Sequence, residues 1–139
     1  MDRIVPEMLC KVKKHVQHYM DRECEKLDIS WASGVYLMDV YKNGSVSKAE
    51  MSRNLGFNKA NTTRIVDDLE IKGILKKNNG REYCLTDSGL KKAEEIEKIR
   101  IKFNKLLQSG LTEQEKIIFA DIFEKMYKNL CELGVDNKC

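Results

Sequence analysis

Two short runs carry the side chains best suited to recognising a partner. The first is Asn58-Lys59-Ala60-Asn61-Thr62-Thr63-Arg64, which mixes amide, hydroxyl and cationic groups. The second is Lys76-Lys77-Asn78-Asn79-Gly80-Arg81, cations set around an Asn-Gly pair. Amides and hydroxyls donate and accept hydrogen bonds, and lysine and arginine neutralise anions. Both runs therefore suit an anionic partner with patterned polar edges, as duplex DNA presents in its major groove. His15 and His18, with Cys10 or Cys24 nearby, form a third set. Two histidines at i, i+3 supply only a fragment of a metal site, which needs three or four converging donors, so no metal or cofactor is expected. Cys10 and Cys24 are candidate redox thiols, but Cys10, Cys24 and Cys131 serve equally as small core residues.

The chain that must position these groups has 139 residues, one domain's worth. A single proline and eight glycines interrupt long stretches rich in Lys, Glu, Leu and Ile, which predicts a mainly α protein. Charges break every apolar run well short of a membrane span, and the start lacks a signal-type pattern, so a soluble, cytoplasmic protein is expected. The cysteines at 10, 24, 84, 131 and 139 are odd in number and form no CxxC pair. Reduced thiols fit better than a secreted disulfide framework. Net charge is only +3, but the excess sits in the middle third: Lys48 to Tyr83 holds eight basic and five acidic residues. That is the footprint of an anionic partner, weakened by Asp67 and Asp68.

Periodicity divides the chain into helices. Val5, Leu9, Val12, Val16, Tyr19, Met20 and Leu27 predict one long amphipathic helix from Ile4 to Leu27. A shorter helix over Ser30 to Tyr41 carries Trp31, Tyr36 and Tyr41 as packing residues and stops at Asn43-Gly44. Ser45-Val46-Ser47 allows no more than a strand fragment. Ser47 caps the next helix, and Glu50 completes a capping box. In the helix from Lys59 to about Lys72, capped by Asn58, the residues Thr62, Ile65, Val66 and Leu69 form the buried face. Ala60, Thr63, Arg64 and Asp67 then point outward, with Lys59 and Asn61 on the flanks of the first turn. Such a front is placed to meet base edges, although a capped and merely solvated helix would look the same.

The segment after Gly73 favours the first reading. Asn79-Gly80 between Ile74-Leu75-Lys76-Lys77 and Arg81-Glu82-Tyr83-Cys84-Leu85 predicts a hairpin closed by a type I′ turn. With a two-residue loop, Ile74 pairs with Leu85 and Lys76 with Tyr83, while Leu75 and Lys77 face Cys84 and Glu82. Helix, turn, helix and basic hairpin make a winged helix-turn-helix, with Lys76, Lys77 and Arg81 near the wing tip.

The order of these elements, with Ser47-Lys48-Ala49-Glu50-Met51, Leu55-Gly56, Thr63-Arg64-Ile65-Val66-Asp67-Asp68-Leu69-Glu70, Lys72-Gly73-Ile74-Leu75 and Leu85-Thr86-Asp87-Ser88-Gly89, resembles the MarR family of bacterial transcriptional regulators. The resemblance implies a single MarR-like domain over 1–139, with a DNA-binding lobe at 30–87 and a helical dimerisation region at 1–29 and 88–139. It implies that Asn58, Lys59, Ala60, Asn61, Thr63 and Arg64 enter the major groove and that Ser47 and Lys48 approach phosphate. The partners implied are double-stranded DNA, a second copy of the chain and a small-molecule effector. The wing departs from the family pattern in being short, and Asp68 stands where the family often has arginine.

Two capped helices complete the chain, one from Ser88-Gly89 to Ser109-Gly110 and one after Thr112, whose box partner is Glu115. Their apolar residues, among them Phe103, Ile118, Phe119, Ile122 and Phe123, exceed what a winged lobe can bury, which predicts a homodimer reading a pseudo-palindrome. No glycine-rich phosphate loop, nucleophile motif or HExxH is present, so no catalytic residue is assigned. The expected function is sequence-specific transcriptional regulation, as a repressor tuned by a small molecule or oxidant. A protein-interaction module, and a thiol or metal sensor with DNA binding as output, remain open alternatives.

Overall fold

The computed structural model describes residues 5–134; Ile4 and Cys139 lie outside the described residues. Among the described residues, six helices and a small antiparallel sheet follow in the order α1 (Val5–Glu25), α2 (Trp31–Asn43), β1 (Val46–Ser47), α3 (Lys48–Leu55), α4 (Lys59–Ile71), β2 (Leu75–Lys77), β3 (Glu82–Leu85), α5 (Asp87–Leu107) and α6 (Glu113–Glu132). No helix among the described residues is long and apolar enough to cross a membrane.

The helix starts are set locally. Ser30, Ser47, Asn58, Thr86 and Thr112 all accept a backbone N–H three residues on, and Ser47–Glu50 and Thr112–Glu115 close full capping boxes. Gly44 ends α2 at φ 83°, a conformation that costs glycine nothing.

The core gathers Cys24, the inner face of α2, Met51, the buried face of α4, the sheet, and Ala93 and Ile96 of α5. Thr62, Ile65, Val66 and Leu69 are the four buried residues of α4, as the periodicity predicts. The hydroxyls of Tyr36 and Thr62 lie 2.9 Å apart in this core, so the polar atoms of both buried side chains are satisfied. Asp39, buried on α2, accepts from the side-chain amides of Asn43 and Asn54 and so ties α2 to α3. Burial pushes its carboxyl above the usual range, against the pull of those two amides.

The hairpin differs from the sequence expectation in register and in turn. Leu75 pairs with Leu85, Lys76 with Cys84 and Lys77 with Tyr83, one residue away from the predicted alignment. Val46 on β1 pairs with Tyr83, giving the strand order β1-β3-β2. The register follows from burial. It puts Leu75, Tyr83 and Val46 on one face, and all three are buried, whereas the predicted slip would turn Leu75 away from Tyr83. The loop accordingly has three residues: the Asn78 N–H donates to the Glu82 carbonyl at 2.8 Å, and only Gly80 takes a positive φ, of 63°. A type I′ turn would need Asn79 there as well.

The junction between lobe and α5 is tight. The Thr86 hydroxyl donates to the Gly73 carbonyl and accepts from the Gly89 N–H, and a side chain at Gly89 would place its Cβ 2.1 Å from the Ile74 carbonyl oxygen. Backbone cannot retreat from such an overlap without moving α5 or the wing base. Gly89→Ala is therefore expected to cost about 3 kcal/mol of folding free energy, read as a lowered denaturant midpoint at unchanged slope. A midpoint within experimental error of the parent would show that the helix start can shift freely.

Candidate nucleic-acid interface

The polar front of α4 is held by its own hydrogen bonds. Asn58 Oδ1 accepts the Asn61 N–H at 2.7 Å, and Asn61 Oδ1 accepts from Arg64 Nη2 at 2.8 Å. Asn58, Lys59, Ala60, Thr63 and Arg64 are exposed and Asn61 half-buried. The front is thus outward-facing and partly fixed before any partner arrives.

Five of the remaining residues singled out from sequence are at the other flank, and four of them meet. Ser47, Lys48, Lys77 and Arg81 line one groove of about 400 Å³, together with Ala49, Gly80 and Tyr83. Helix α3 begins here, so its first N–H groups and these cations share the groove. Lys76 is left out. It pairs with Cys84, on the strand face opposite to that of Lys77 and Tyr83.

Lys48 is the link between groove and α4. Its ammonium lies 2.6 Å from Asp67 Oδ1 and 5.7 Å from the centre of the Tyr83 ring. The Asp67 carboxylate holds the lysine above its usual range, so it stays charged. Asp68 is matched in turn by Lys72 at 2.9 Å. The two acids that weaken the basic footprint in the sequence are both neutralised locally. Among the described residues, Lys59, Lys76, Lys77 and Arg81 have no acidic group within ion-pair distance. The Lys48–Asp67 pairing could not be foreseen from spacing, since the two residues are on different helices, whereas Asp68 and Lys72 stand at i, i+4. Asp39, which fixes α3 through Asn54, was also missed; an acid inside Leu37-Met38-Asp39-Val40 was its only sequence signal.

The other candidate groups lie elsewhere. His15 and His18 line a cleft of about 890 Å³ between α1 and α5, whose floor includes Tyr19 stacked on Phe103 at 4.1 Å. Cys10 is exposed rather than a core residue, because it falls on the outer face of α1. Cys24 is fully buried, and burial pushes its thiol up to about 11, with Asp21 and Glu23 adding to the effect. Cys131 is half-buried and disulfide-bonded, which departs from the expectation of reduced thiols throughout.

Residues 29–81 match the sequence model of the MarR family. The match spans α2 to the wing tip, the part that holds the α4 front and the groove, and solved MarR-family structures share the fold beyond it. The S. aureus MepR–DNA complex superposes with a TM-score of 0.84 at 20% identity, over 91% of this chain and 96% of that one. A MarR protein from Peptoclostridium difficile gives 0.84 at 23%, over 94% and 89%. A MarR-family regulator from Listeria monocytogenes, complexed with a 26mer DNA, gives 0.82 at 19%, over 95% and 91%. No curated protein sequence matched significantly. The fold is that of these solved MarR-family structures.

The two thiols of α1 yield a prediction. A raised folded-state value means that the folded chain holds the Cys24 proton more tightly than the unfolded chain does. Its contribution to stability is complete below the ordinary thiol value and is lost as pH rises through about 11. Native protein at pH 8 should alkylate at Cys10 and spare Cys24, and a Cys24→Ala variant should show a shallower loss of stability between about pH 9 and 11. Equal labelling of both thiols would contradict the burial of Cys24.

Proposed function

We propose that this protein is a homodimeric transcriptional repressor that binds a pseudo-palindromic DNA site through α4 and the groove beside it. The observation that carries the DNA assignment is the meeting of Ser47, Lys48, Lys77 and Arg81 in one basic groove that Lys48 joins to the exposed front of α4. In this reading α4 enters the major groove, with Asn61, Thr63 and Arg64 at base edges and Lys59 at the backbone, while the groove cations and Lys76 meet phosphates. The DNA carried by the MepR and Listeria relatives supports it.

Dimerisation is supported by the apolar surface that one copy leaves uncovered. None of the residues of α6 is buried, although Ile117, Ile118, Phe119, Ile122, Phe123, Tyr127 and Leu130 are all on it. Val5, Met8 and Val12 of α1 and Ile101, Leu106 and Leu107 of α5 are likewise exposed. So much exposed apolar side chain is unusual for a soluble monomer, and a two-fold partner would bury it. The domain division at 30–87, with dimerisation helices to either side, belongs to the same proposal. The cleft between α1 and α5, apolar at Val12, Val16 and Phe103 and rimmed by Lys11, His15, His18 and Arg22, supports tuning by a small molecule. Of the two redox candidates, the exposed Cys10 is the one an oxidant would reach.

Three outcomes follow. Sedimentation should give a mass twice the 16.1 kDa of one chain, and Phe119→Glu with Phe123→Glu should reduce it to one copy; a monomeric parent would remove the dimer. Lys77→Ala with Arg81→Ala should weaken binding to all duplexes alike and reduce the slope of log affinity against log salt by about two, one per phosphate contact. An unchanged slope would mean that the short wing stays clear of DNA. Asp67→Asn should leave folding within about 1 kcal/mol, since the Lys48 pair is half exposed, and should tighten binding to mixed-sequence duplex severalfold by releasing Lys48. Weaker binding would instead make the pair a brace for α4.

A further inference from the structure

Resting on the DNA-binding dimer proposed above, we infer that Thr86 is a positioning residue for it: Thr86 locks the end of α4 to the start of α5 and so fixes how far apart the two half-sites of the bound DNA must lie. Two carbonyls stand just past α4, those of Gly73 and Ile74, and Thr86 engages both. Its hydroxyl donates to the Gly73 carbonyl at 2.6 Å and lies 3.1 Å from that of Ile74, to which its N–H also donates at 3.1 Å. The same two residues close α4, because the Gly73 N–H donates to the Glu70 carbonyl at 3.0 Å and the Ile74 N–H to the Leu69 carbonyl at 2.9 Å. On its other side the Thr86 hydroxyl accepts the Gly89 N–H at 3.0 Å and so starts α5. One residue therefore joins the last turn of one helix to the first turn of the next, and the Gly89 backbone lies too close to the Ile74 carbonyl to admit even a Cβ.

The joint matters because α5 has two unlike halves. Ala93 and Ile96 are fully buried in the core of the lobe, and Lys92 Nζ donates to the Leu27 carbonyl in the turn that follows α1. Farther along, Ile101, Leu106 and Leu107 are exposed, within the apolar surface that a second copy would cover. From Gly89 to Leu106 the helix rises about 26 Å, at about 1.5 Å per residue. A tilt of about 10° at the joint would carry its far end through about 4 to 5 Å, more than the roughly 3.4 Å of one base-pair step. Burial of Ala93 and Ile96 holds α5 on the lobe but has no direction, whereas hydrogen bonds are oriented, so the angle between α5 and α4 is set at Thr86. Thr86 belongs neither to the α4 front nor to the lining of the basic groove, and its effect on DNA binding is confined to this geometry.

The test uses the full chain. Bound sequences are selected from random duplex DNA, and the half-sites of the enriched site are then moved apart or together by one base pair. The parent is expected to lose roughly tenfold or more in affinity on either shift, since each shift both turns and displaces one half-site. Thr86→Val, which removes the hydroxyl and keeps the shape, should reduce that loss to about threefold or less while binding a duplex with a single half-site as the parent does. Thr86→Ser should restore the parent's preference. Ser30→Ala, which takes a cap of the same kind from α2, controls for lost stability alone and should keep the full preference. A Thr86→Val dimer as strict about spacing as the parent overturns the assignment, as does an equal relaxation in Ser30→Ala or a parent that accepts all three spacings alike. The lock is also readable without any variant. In the parent the Gly89 N–H should be protected from solvent exchange, in contrast to those of the exposed Asp87 and Ser88 beside it. Equally fast exchange at all three overturns the assignment even where Thr86→Val does not fold. A protein that stays monomeric, or that enriches no two-fold site, overturns this inference together with the proposal on which it rests.

Discussion

The seating of α4 on α2 is the constraint on which the rest of the molecule depends. Ile65, Val66 and Leu69 are buried to within a few per cent, and each contributes about 2 kcal/mol by leaving water. Exposed ion pairs such as Lys72–Asp68 contribute less than 1 kcal/mol each. The apolar face therefore fixes how α4 is rotated, and the polar face has to point where that rotation sends it. The Tyr36–Thr62 hydroxyl pair adds a directional contact inside the same core, since an apolar neighbour would leave Thr62 Oγ1 unsatisfied.

From that seating the interface is assembled from separate pieces of chain. Asn58 starts α4, so the front begins where the cap places it. Ser47 starts α3, and the short pairing of Val46 with Tyr83 brings that start against the wing. Lys48 then spans from α3 to Asp67 on α4 and lies over Tyr83 of β3. The charge balance of the middle third, only slightly basic as a sum, becomes a basic groove because Asp67 and Asp68 are answered locally and the wing cations are not.

The two ends of the chain have a different character. Met20, Cys24, Ala93 and Ile96 are buried where α1 and α5 meet the lobe, but beyond them Ile101, Leu106 and Leu107 of α5 are exposed and no residue of α6 is buried. One copy therefore has a complete core around α2 and α4 and an incomplete one around α6. A second copy related by a two-fold axis would complete it and, by the same operation, would set the spacing of two α4 helices.

How much of this was legible in the sequence depends on the range of the interaction. Caps, the Gly44 stop, the capping boxes at Ser47 and Thr112 and the buried face of α4 are local: each is fixed by residues within about one or two helical turns, so spacing alone determined them. The winged order of elements was equally readable. The tertiary structure alone decided the wing register, because a strand pair can slip by one residue at little local cost and only burial of Leu75 and Tyr83 against β1 selects one alignment. It also decided that Lys48 faces Asp67 and that Cys10 and Cys24 differ in exposure. These are contacts and burials between helices, and no local rule measures the distance between side chains on different elements.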